Sequence, residues 1–176
     1  VYSGQTVRGI VELAREHGLI VLSDEVYEKI IYHGEHVHAA GPAGDDVLCL
    51  TFSGLSKAYR ACGFRAGWLA VTGPLAAAED LLEGLHLLAN MRMCANVPAQ
   101  HAIQTCLGGY QSIDALVAPG GRFHDQIMLS QRLLDGIEGV SCVPADGALY
   151  LFPRLDPERF PIEDDEEWAL GLLRRK

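Results

Sequence analysis

The sequence predicts an α/β fold, in which helices flank a mostly parallel sheet, and three observations support this. Residues 5–17 carry apolar side chains at the i, i+3, i+4 and i+7 spacing of an amphipathic helix, and Gly18 ends that helix. The apolar runs at 19–23 and 47–52 have the composition of buried strands. A helix followed by buried strands implies layered α/β packing.

Turn residues and the spacing of apolar side chains predict the secondary structure around the second strand. Residues 28–32 are predicted to form a short strand or the end of a helix, and residues 33–46 a polar loop that contains Gly and Pro. Residues 68–72 are predicted to be an antiparallel strand, which Gly73-Pro74 ends. Residues 75–93, rich in Leu, Ala and Glu, predict a long helix.

Two further helices are predicted in the second half of the chain. Asn96 can cap the first of them, and Pro98 fits its first turn. Residues 122–137 carry the apolar periodicity of the second. The acidic run 164–167 is typical of the first turn of another helix, where acids meet its positive end.

A second domain is predicted to begin near the Gly108-Gly109 pair. Residues 140–143 and 148–152 have the composition of two strands around a turn that contains Gly147. We therefore expect residues 1–108 to be the C-terminal half of a large domain, and residues 109–176 to be the start of a small α+β domain.

Composition and charge argue against several functions. The 176 residues are 49% hydrophobic and 21% charged, which is typical of a soluble globular protein. A formal net charge of −9 without a basic stripe argues against a nucleic-acid partner. No apolar run approaches the ~20 residues of a membrane helix, and no signal peptide is recognised. Five cysteines without paired spacing predict reduced thiols and a cytoplasmic location.

Lys57 lies among small residues just after the 47–52 run. Partial desolvation there would lower its pKa from about 10.4 and make the neutral amine available as a nucleophile. Arg65, flanked by Gly63 and Gly67, offers the planar fork that suits a phosphate. An amine beside a phosphate clamp suggests pyridoxal phosphate. On these residues alone, a turn lysine beside a structural arginine is the favoured interpretation.

Asp24 follows the strand at 19–23, at the position where open α/β sheets bind ligands. A carboxylate there can keep the pyridine nitrogen of such a cofactor protonated, so that the ring withdraws electrons. Tyr27 lies three residues on and can offer its phenol to the cofactor's ring oxygen. The alternative for Asp24 is a helix N-cap. The order of the two strands, acid first and lysine second, favours the cofactor role.

The stretches Gly54-Leu-Ser-Lys57 and Gly63-Phe-Arg65-Ala-Gly-Trp68 together resemble the lysine signature of class I/II aminotransferases, which are fold-type I pyridoxal-phosphate enzymes. The resemblance implies that Lys57 forms the internal aldimine and that Arg65 binds the cofactor phosphate. It also implies amino acid and 2-oxo acid substrates and a homodimer.

The same resemblance assigns Asp24 to the pyridine nitrogen and Tyr27 to the ring oxygen. Ser53 and Ser56 are both candidates for the phosphate. Further stretches resemble the alanine-transaminase branch of the bacterial enzymes, which implies amino transfer between L-alanine and 2-oxoglutarate. These stretches are residues 90–100, 108–111, 119–122 and 147–153.

We expect the chain to be the middle portion of a longer enzyme, because it begins at Val1 and its last residues lie in a predicted helix. The family's glycine-rich phosphate turn and its substrate-carboxylate arginine would lie outside it. The sheet should then expose an edge and an apolar face. This portion alone should lack transaminase activity and bind pyridoxal phosphate weakly or not at all.

Three functions remain open on the sequence. The first is a fragment of an aminotransferase. The second is another fold-type I pyridoxal-phosphate enzyme, such as a carbon–sulfur lyase. The third is a non-catalytic effector-binding domain that uses the same fold.

His33, His36 and His38 fall within six residues of the polar loop and suggest a metal site. Metal ligands are usually held on rigid elements with a second layer of hydrogen bonds, and no cysteine or cluster of acids accompanies these three. We therefore predict no metal site, and a solvated loop in which the histidines are incidental.

Overall fold

The structure is a computed structural model that describes residues 1–175. Helices α1 to α7 span Gly4–His17, Ala40–Ala43, Glu79–Met91, Val97–Gly108, Ile113–Val117, Arg122–Asp135 and Asp165–Arg174. Strands β1 to β5 span Val21–Asp24, Cys49–Gly54, Gly67–Thr72, Val140–Cys142 and Pro153–Leu155. Short 3-10 turns at Cys62–Phe64 and Leu75–Ala78 precede β3 and α3.

Strands β1, β2 and β3 form one sheet with β2 at its centre. β1 is parallel to β2 with Asp24 opposite Phe52, and β3 is antiparallel with Leu69 opposite Phe52. The predicted strands, and the antiparallel direction of the third, are confirmed. Because parallel neighbours end at the same edge of a sheet, the C-terminal ends of β1 and β2 lie side by side.

Helix α1 covers one face of this sheet. Ser3 caps it by accepting a hydrogen bond from the Thr6 backbone N–H (3.1 Å), and Gly18 ends it in the left-handed region at φ 61°. Each fully buried valine contributes roughly 1.5–3 kcal/mol of hydrophobic stabilisation. The core between α1, α2 and β2 contains Val7, Val11, Ala14, Ala39, Ala43, Val47 and Cys49.

The opposite face of the sheet is apolar and exposed. Leu22, Phe52 and Leu69 are 68%, 39% and 36% exposed. Within residues 1–175, β1 and β3 each pair with β2 only, so each leaves one edge open. The predicted open edge and apolar face are therefore both present.

Two predicted elements differ in their bounds or class. The long helix predicted at 75–93 starts with a 3-10 turn and is α-helical only over Glu79–Met91. The predicted loop at 33–46 contains α2, whose Ala43 is fully buried against the core. The Gly and Pro inside α2 suggested a loop, but burial of its alanines stabilises one helical turn.

The strand predicted at 148–152 is wrong. Ala148 has a φ of 60°, and its backbone N–H donates to the Ile30 carbonyl (2.8 Å). Gly147 forms an isolated bridge with Ile31, so this stretch lies against the segment that follows β1. β4, predicted at 140–143, pairs instead with β5 in an antiparallel ladder. The strand-or-helix prediction for 28–32 resolves into turns and that one bridge.

The helical predictions for the second half are confirmed. Asn96 caps α4 by accepting from the Ala99 N–H (3.2 Å), and a proline lies in its first turn. Asp164 caps α7 by accepting from the Glu167 N–H (2.8 Å). The division into domains at 1–108 and 109–176 stays a prediction.

Candidate functional site

The ends of β1 and β2 bring the first two predicted site residues to one edge of the sheet. The Glu25 N–H donates to the Phe52 carbonyl (2.8 Å), which extends the parallel ladder one residue past Asp24. Ser53 and Gly54 then end β2. Asp24 and Ser53 thus lie at the ligand-binding edge of an α/β sheet, as the sequence predicts.

Asp24 is exposed, and one of its carboxylate oxygens accepts a hydrogen bond from the Val26 N–H (3.2 Å). Residues 25–30 form turns. The Glu28 N–H donates a hydrogen bond to the Glu25 carbonyl, and the Ile30 N–H donates to the Tyr27 carbonyl. The N-cap alternative for Asp24 is therefore wrong, because no helix starts there. The carboxylate closes a turn and keeps its exposed side available to a ligand.

Lys57 is half-buried, and its Nζ lies 5.6 Å from the centroid of the Tyr27 ring. Hydrogen bonding and charge interaction with the Tyr27 phenol, followed by the charge of Tyr150, raise the pKa of Lys57 above its ordinary value. The expected lowering of this pKa is wrong. The phenols of Tyr27 and Tyr150 stabilise its charged form, and this outweighs the lowering of the pKa by partial burial.

Arg65 and Ser56, which lie nine residues apart in the chain, come together in the loop that also carries Lys57. The Arg65 Nη1 donates to the Cys62 carbonyl (2.8 Å) and lies 3.5 Å from the Ser56 Oγ. Arg65 has a φ of 52°, in the left-handed region. Ser53 lies opposite Trp68 in the β2–β3 ladder. The structure thus brings Ser56, of the two serines, to the arginine.

Tyr150 is a site residue that sequence reasoning missed. Its hydroxyl lies 2.5 Å from the Tyr27 hydroxyl, although the two residues are 123 positions apart. Burial, followed by the hydrogen bond to Tyr150, raises the pKa of Tyr27, and this outweighs the opposing effect of Lys57. The only sequence signal was the stretch 147–153, which carries the tyrosine but no indication of its contact.

Comparison with known proteins decides the family. The family model for aminotransferase class I and II matches residues 1–175. The chain belongs to the class I and II aminotransferase family. It is 57% identical over 174 residues to an alanine aminotransferase of Mycobacterium tuberculosis H37Rv and 51% identical over 173 residues to the glutamate-pyruvate aminotransferase AlaA of Escherichia coli K12.

A solved structure has the same fold. A crystal structure of an aminotransferase from Escherichia coli superposes with a TM-score of 0.94 at 53% identity, over 97% of this chain and 42% of that one. The predicted fold-type I architecture is confirmed. Both sequence relatives are matched over 98% of this chain. The chain spans 40% of the mycobacterial protein and 43% of AlaA.

Glu25, beside Asp24, is the second residue that sequence reasoning missed in this aminotransferase-family chain. It is 3% exposed, and one carboxylate oxygen accepts from the Ser23 hydroxyl (2.9 Å) and the Ala39 N–H (3.0 Å). The other oxygen contacts the His38 Nδ1 and lies 3.1 Å from the His36 Nε2. These contacts fix the turn that carries Asp24 and Tyr27.

The description of the histidine loop as incidental is therefore wrong for two of its three histidines. His36 and His38 fold back onto Glu25, and His33 remains exposed. One ligand-type atom from each of Glu25, His36 and His38 lies within 4.8 Å of the others. A hydrogen bond between the His38 imidazole and the buried carboxylate, with the His36 Nε2 close by, accounts for this cluster, since a buried charge requires partners.

Among residues 1–175, the structure contains no helix that is both long and apolar enough to span a bilayer. All five cysteines are free thiols, of which Cys49 is buried.

Proposed function

We propose that the full-length protein transfers an amino group between L-alanine and 2-oxoglutarate with pyridoxal phosphate as its cofactor. The observation that carries this is the convergence of Lys57, Tyr27 and Asp24 at the paired ends of β1 and β2. The names of the similar proteins, alanine aminotransferase and glutamate-pyruvate aminotransferase, support the substrates and favour the first of the three functions left open by the sequence.

The residues present fit the cofactor. A phosphorylated pyridine aldehyde needs an amine for its aldehyde carbon, an anion for its ring nitrogen and hydrogen-bond donors for its ring oxygen and phosphate. Lys57 and Asp24 supply the first two. Tyr27 supplies a phenol donor for the ring oxygen. Arg65 and Ser56 supply donors for the phosphate, and the Arg65 Nη1 lies 3.5 Å from the Ser56 Oγ. The donor set contains one suitable group for each part of the cofactor.

The chemistry that the bound cofactor supplies is an electron sink for a carbanion at the substrate's α-carbon. Asp24 would hold the ring nitrogen in its protonated form, because an ionised carboxylate stabilises a neighbouring positive charge. Tyr27 would donate its phenol proton to the ring oxygen. Ser53, at the end of β2, is a second candidate hydroxyl for the phosphate.

Lys57 would hold the cofactor covalently through its Nζ. Once the amine of a substrate has displaced it, the freed Nζ would move a proton. The raised pKa of Lys57 favours the ammonium form when the site holds no ligand. A proton transfer from carbon requires the neutral amine, so a bound ligand must change the surroundings that raise this pKa. Tyr27 can provide this change, because its phenol is the main cause of the raised pKa and can alter both its charge and its hydrogen bond with Lys57.

Assembly and location follow as part of the same proposal. We propose a homodimer, because the class I and II aminotransferases resembled by the sequence act as dimers, and the exposed apolar side chains of this chain require covering surface. We also propose a cytoplasmic location, which agrees with five free thiols.

Borohydride reduction of the full-length protein with bound cofactor, followed by peptide mapping, tests the covalent site. The expected result is an adduct on Lys57 alone. Lys29 is the matched control, since its Nζ lies 5.9 Å from the centroid of the Tyr59 ring, whereas the Lys57 Nζ lies over the Tyr27 ring. Lys57→Arg should abolish the adduct, and Lys29→Arg should leave it intact. An adduct on Lys29 would overturn the assignment.

A further inference from the structure

The Tyr27–Tyr150 pair joins two parts of the chain that are far apart in sequence. The hydroxyl oxygens lie 2.5 Å apart. The rings meet edge to face, with centroids 5.6 Å apart and an interplanar angle of 76°. Aromatic pairs prefer this arrangement, so ring contact and hydrogen bond favour the same orientation of Tyr27.

Tyr150 is held there by its own segment. The Tyr32 N–H donates to the Asp146 carbonyl (2.7 Å), and the Tyr32 hydroxyl donates to the Ala148 carbonyl (2.8 Å). The Ala148 N–H also donates to the Ile30 carbonyl, so three hydrogen bonds connect residues 146–148 to residues 30–32. Tyr150 is therefore anchored to the same turn that carries Tyr27.

A close approach of the two backbones makes this anchoring possible. A Cβ at Gly147 would lie 2.7 Å from the Ile30 carbonyl oxygen, closer than real Cβ contacts allow. Only glycine permits the bridge between Gly147 and Ile31 at this separation. The position of Tyr150 follows from that bridge, three residues along the chain.

We propose that Tyr150 is a positioning residue for Tyr27: it fixes the Tyr27 ring and hydroxyl in the orientation that faces Lys57. This inference deepens the proposed amino transfer and rests on it. Tyr27 has two rotatable side-chain bonds, and a phenol can donate one hydrogen bond only. If a partner already fixes the ring, the side chain loses less conformational entropy when a ligand binds.

The same contact controls the proton on Tyr27. In the ligand-free site the groups that face its phenol are Tyr150 and Lys57. The bond to Tyr150 raises the pKa of Tyr27, and Lys57 lowers it. Tyr150 thus acts to keep Tyr27 protonated beside a cationic lysine. Either hydroxyl of the pair can be the donor, so Tyr27 can turn its proton towards a ligand while Tyr150 donates to the Tyr27 oxygen.

The test uses the full-length protein with Tyr150→Phe, which keeps the ring contact and removes only the hydroxyl. In the cofactor-free protein, a carbon-13 NMR titration of the tyrosine ring carbons should show a lower pKa for Tyr27. The dissociation constant for pyridoxal phosphate should rise about fivefold to tenfold, because the Tyr27 side chain must then be immobilised at the binding step. Tyr110→Phe, at a tyrosine that is 87% exposed, is the matched control and should change neither value.

A double variant separates positioning from direct contact. If Tyr150 acts through Tyr27, then Tyr150→Phe in a Tyr27→Phe background should cause no further loss of cofactor affinity. An equal loss in both backgrounds would overturn the inference, and so would an unchanged Tyr27 titration in Tyr150→Phe. Failure of the unmodified protein to bind pyridoxal phosphate would instead refute the proposed function, while the NMR titration would still test the contact between the two tyrosines.

Discussion

Residues 24–32 and residues 55–66 are the two segments that carry most of the candidate site residues, and different interactions hold them. In the first segment Glu25 and Ile30 are buried, and polar contacts from four residues surround the Glu25 carboxylate. In the second, Leu55 and Ala58 are buried, but Arg60 and Arg65 adopt φ values of 55° and 52°. The left-handed region costs an L-residue about 1–2 kcal/mol.

The difference indicates how each side meets its ligand. The side with Asp24 and Tyr27 is fixed before a ligand arrives, because a buried carboxylate holds its turn. The side with Arg65 places an exposed guanidinium on a strained backbone, tied by one carbonyl and one weak serine contact. A phosphate would complete the contacts of the second side, whereas the first side is already complete.

Replacing Asp24, in the segment 24–32, should have the largest effect on activity. Asp24→Ala should lower the rate of amino transfer by orders of magnitude, because the protonated ring nitrogen loses its partner, while cofactor binding weakens less. Steady-state kinetics and cofactor titration of the full-length protein measure both.

Asp24→Asn makes this test more specific. The amide oxygen can still accept from the Val26 N–H, so the turn should keep its geometry while the charge is lost. Rates as low as those of Asp24→Ala are expected. Near-normal turnover in either variant would show that Asp24 only closes the turn.

Replacing Glu25 tests whether its buried carboxylate fixes the segment 24–32. Glu25→Ala should lower the free energy of unfolding by about 3 kcal/mol, because buried donors lose a charged acceptor. Chemical denaturation measures the change. Glu35→Ala, at an exposed position between His33 and His36, is the control and should have little effect. A loss in Glu25→Ala no larger than in the control would contradict the structural role.

The same carboxylate predicts a pH dependence. Burial raises the pKa of Glu25, but hydrogen bonds from His38, Ala39, His36 and Ser23 outweigh it and hold that pKa below its ordinary value. The stability contributed by Glu25 is therefore present above the unfolded-state pKa, about 4.3, and is lost as the pH falls towards the folded-state value. The acid limb of a plot of unfolding free energy against pH should be shallower in Glu25→Ala.

Arg65 gives the smallest effect and tests the strained side. Arg65→Ala should weaken pyridoxal phosphate binding about tenfold, because one charge-assisted contact to the phosphate is lost. The free energy of unfolding should be unchanged, since the side chain is exposed. Arg65→Gly, which tolerates the positive φ, should bind the cofactor equally weakly. Unchanged cofactor affinity in both variants would exclude Arg65 as the phosphate ligand.

Sequence reasoning predicted the elements whose signals are local. The apolar runs gave β1, β2 and β3, and Asn96 with its following proline gave the start of α4. It failed at Ala148, whose positive φ and bond to Ile30 depend on a segment more than a hundred residues away. Composition favours a strand at such a stretch, but tertiary contacts decide its conformation.

The site shows the same limit. Lys57, Asp24 and Arg65 could be predicted as site residues because each lies in a short motif next to a strand. Glu25 was not, because its importance depends on His38 returning to it from 13 residues further along the chain. The raised pKa of Lys57 was mispredicted for a similar reason, since the phenols that cause it come from other segments.

Tyr27 and Tyr150 are separated by 123 positions in the sequence, so they leave the ribosome at different times during synthesis. A ribosome that adds about 5–20 residues per second needs roughly 6–25 s to translate that interval. Until Tyr150 has left the exit tunnel, Tyr27 lacks the phenol of Tyr150 and residues 30–32 lack their hydrogen bonds to residues 146–148. The candidate site of a nascent chain therefore matures late, well after Lys57 has emerged into solvent.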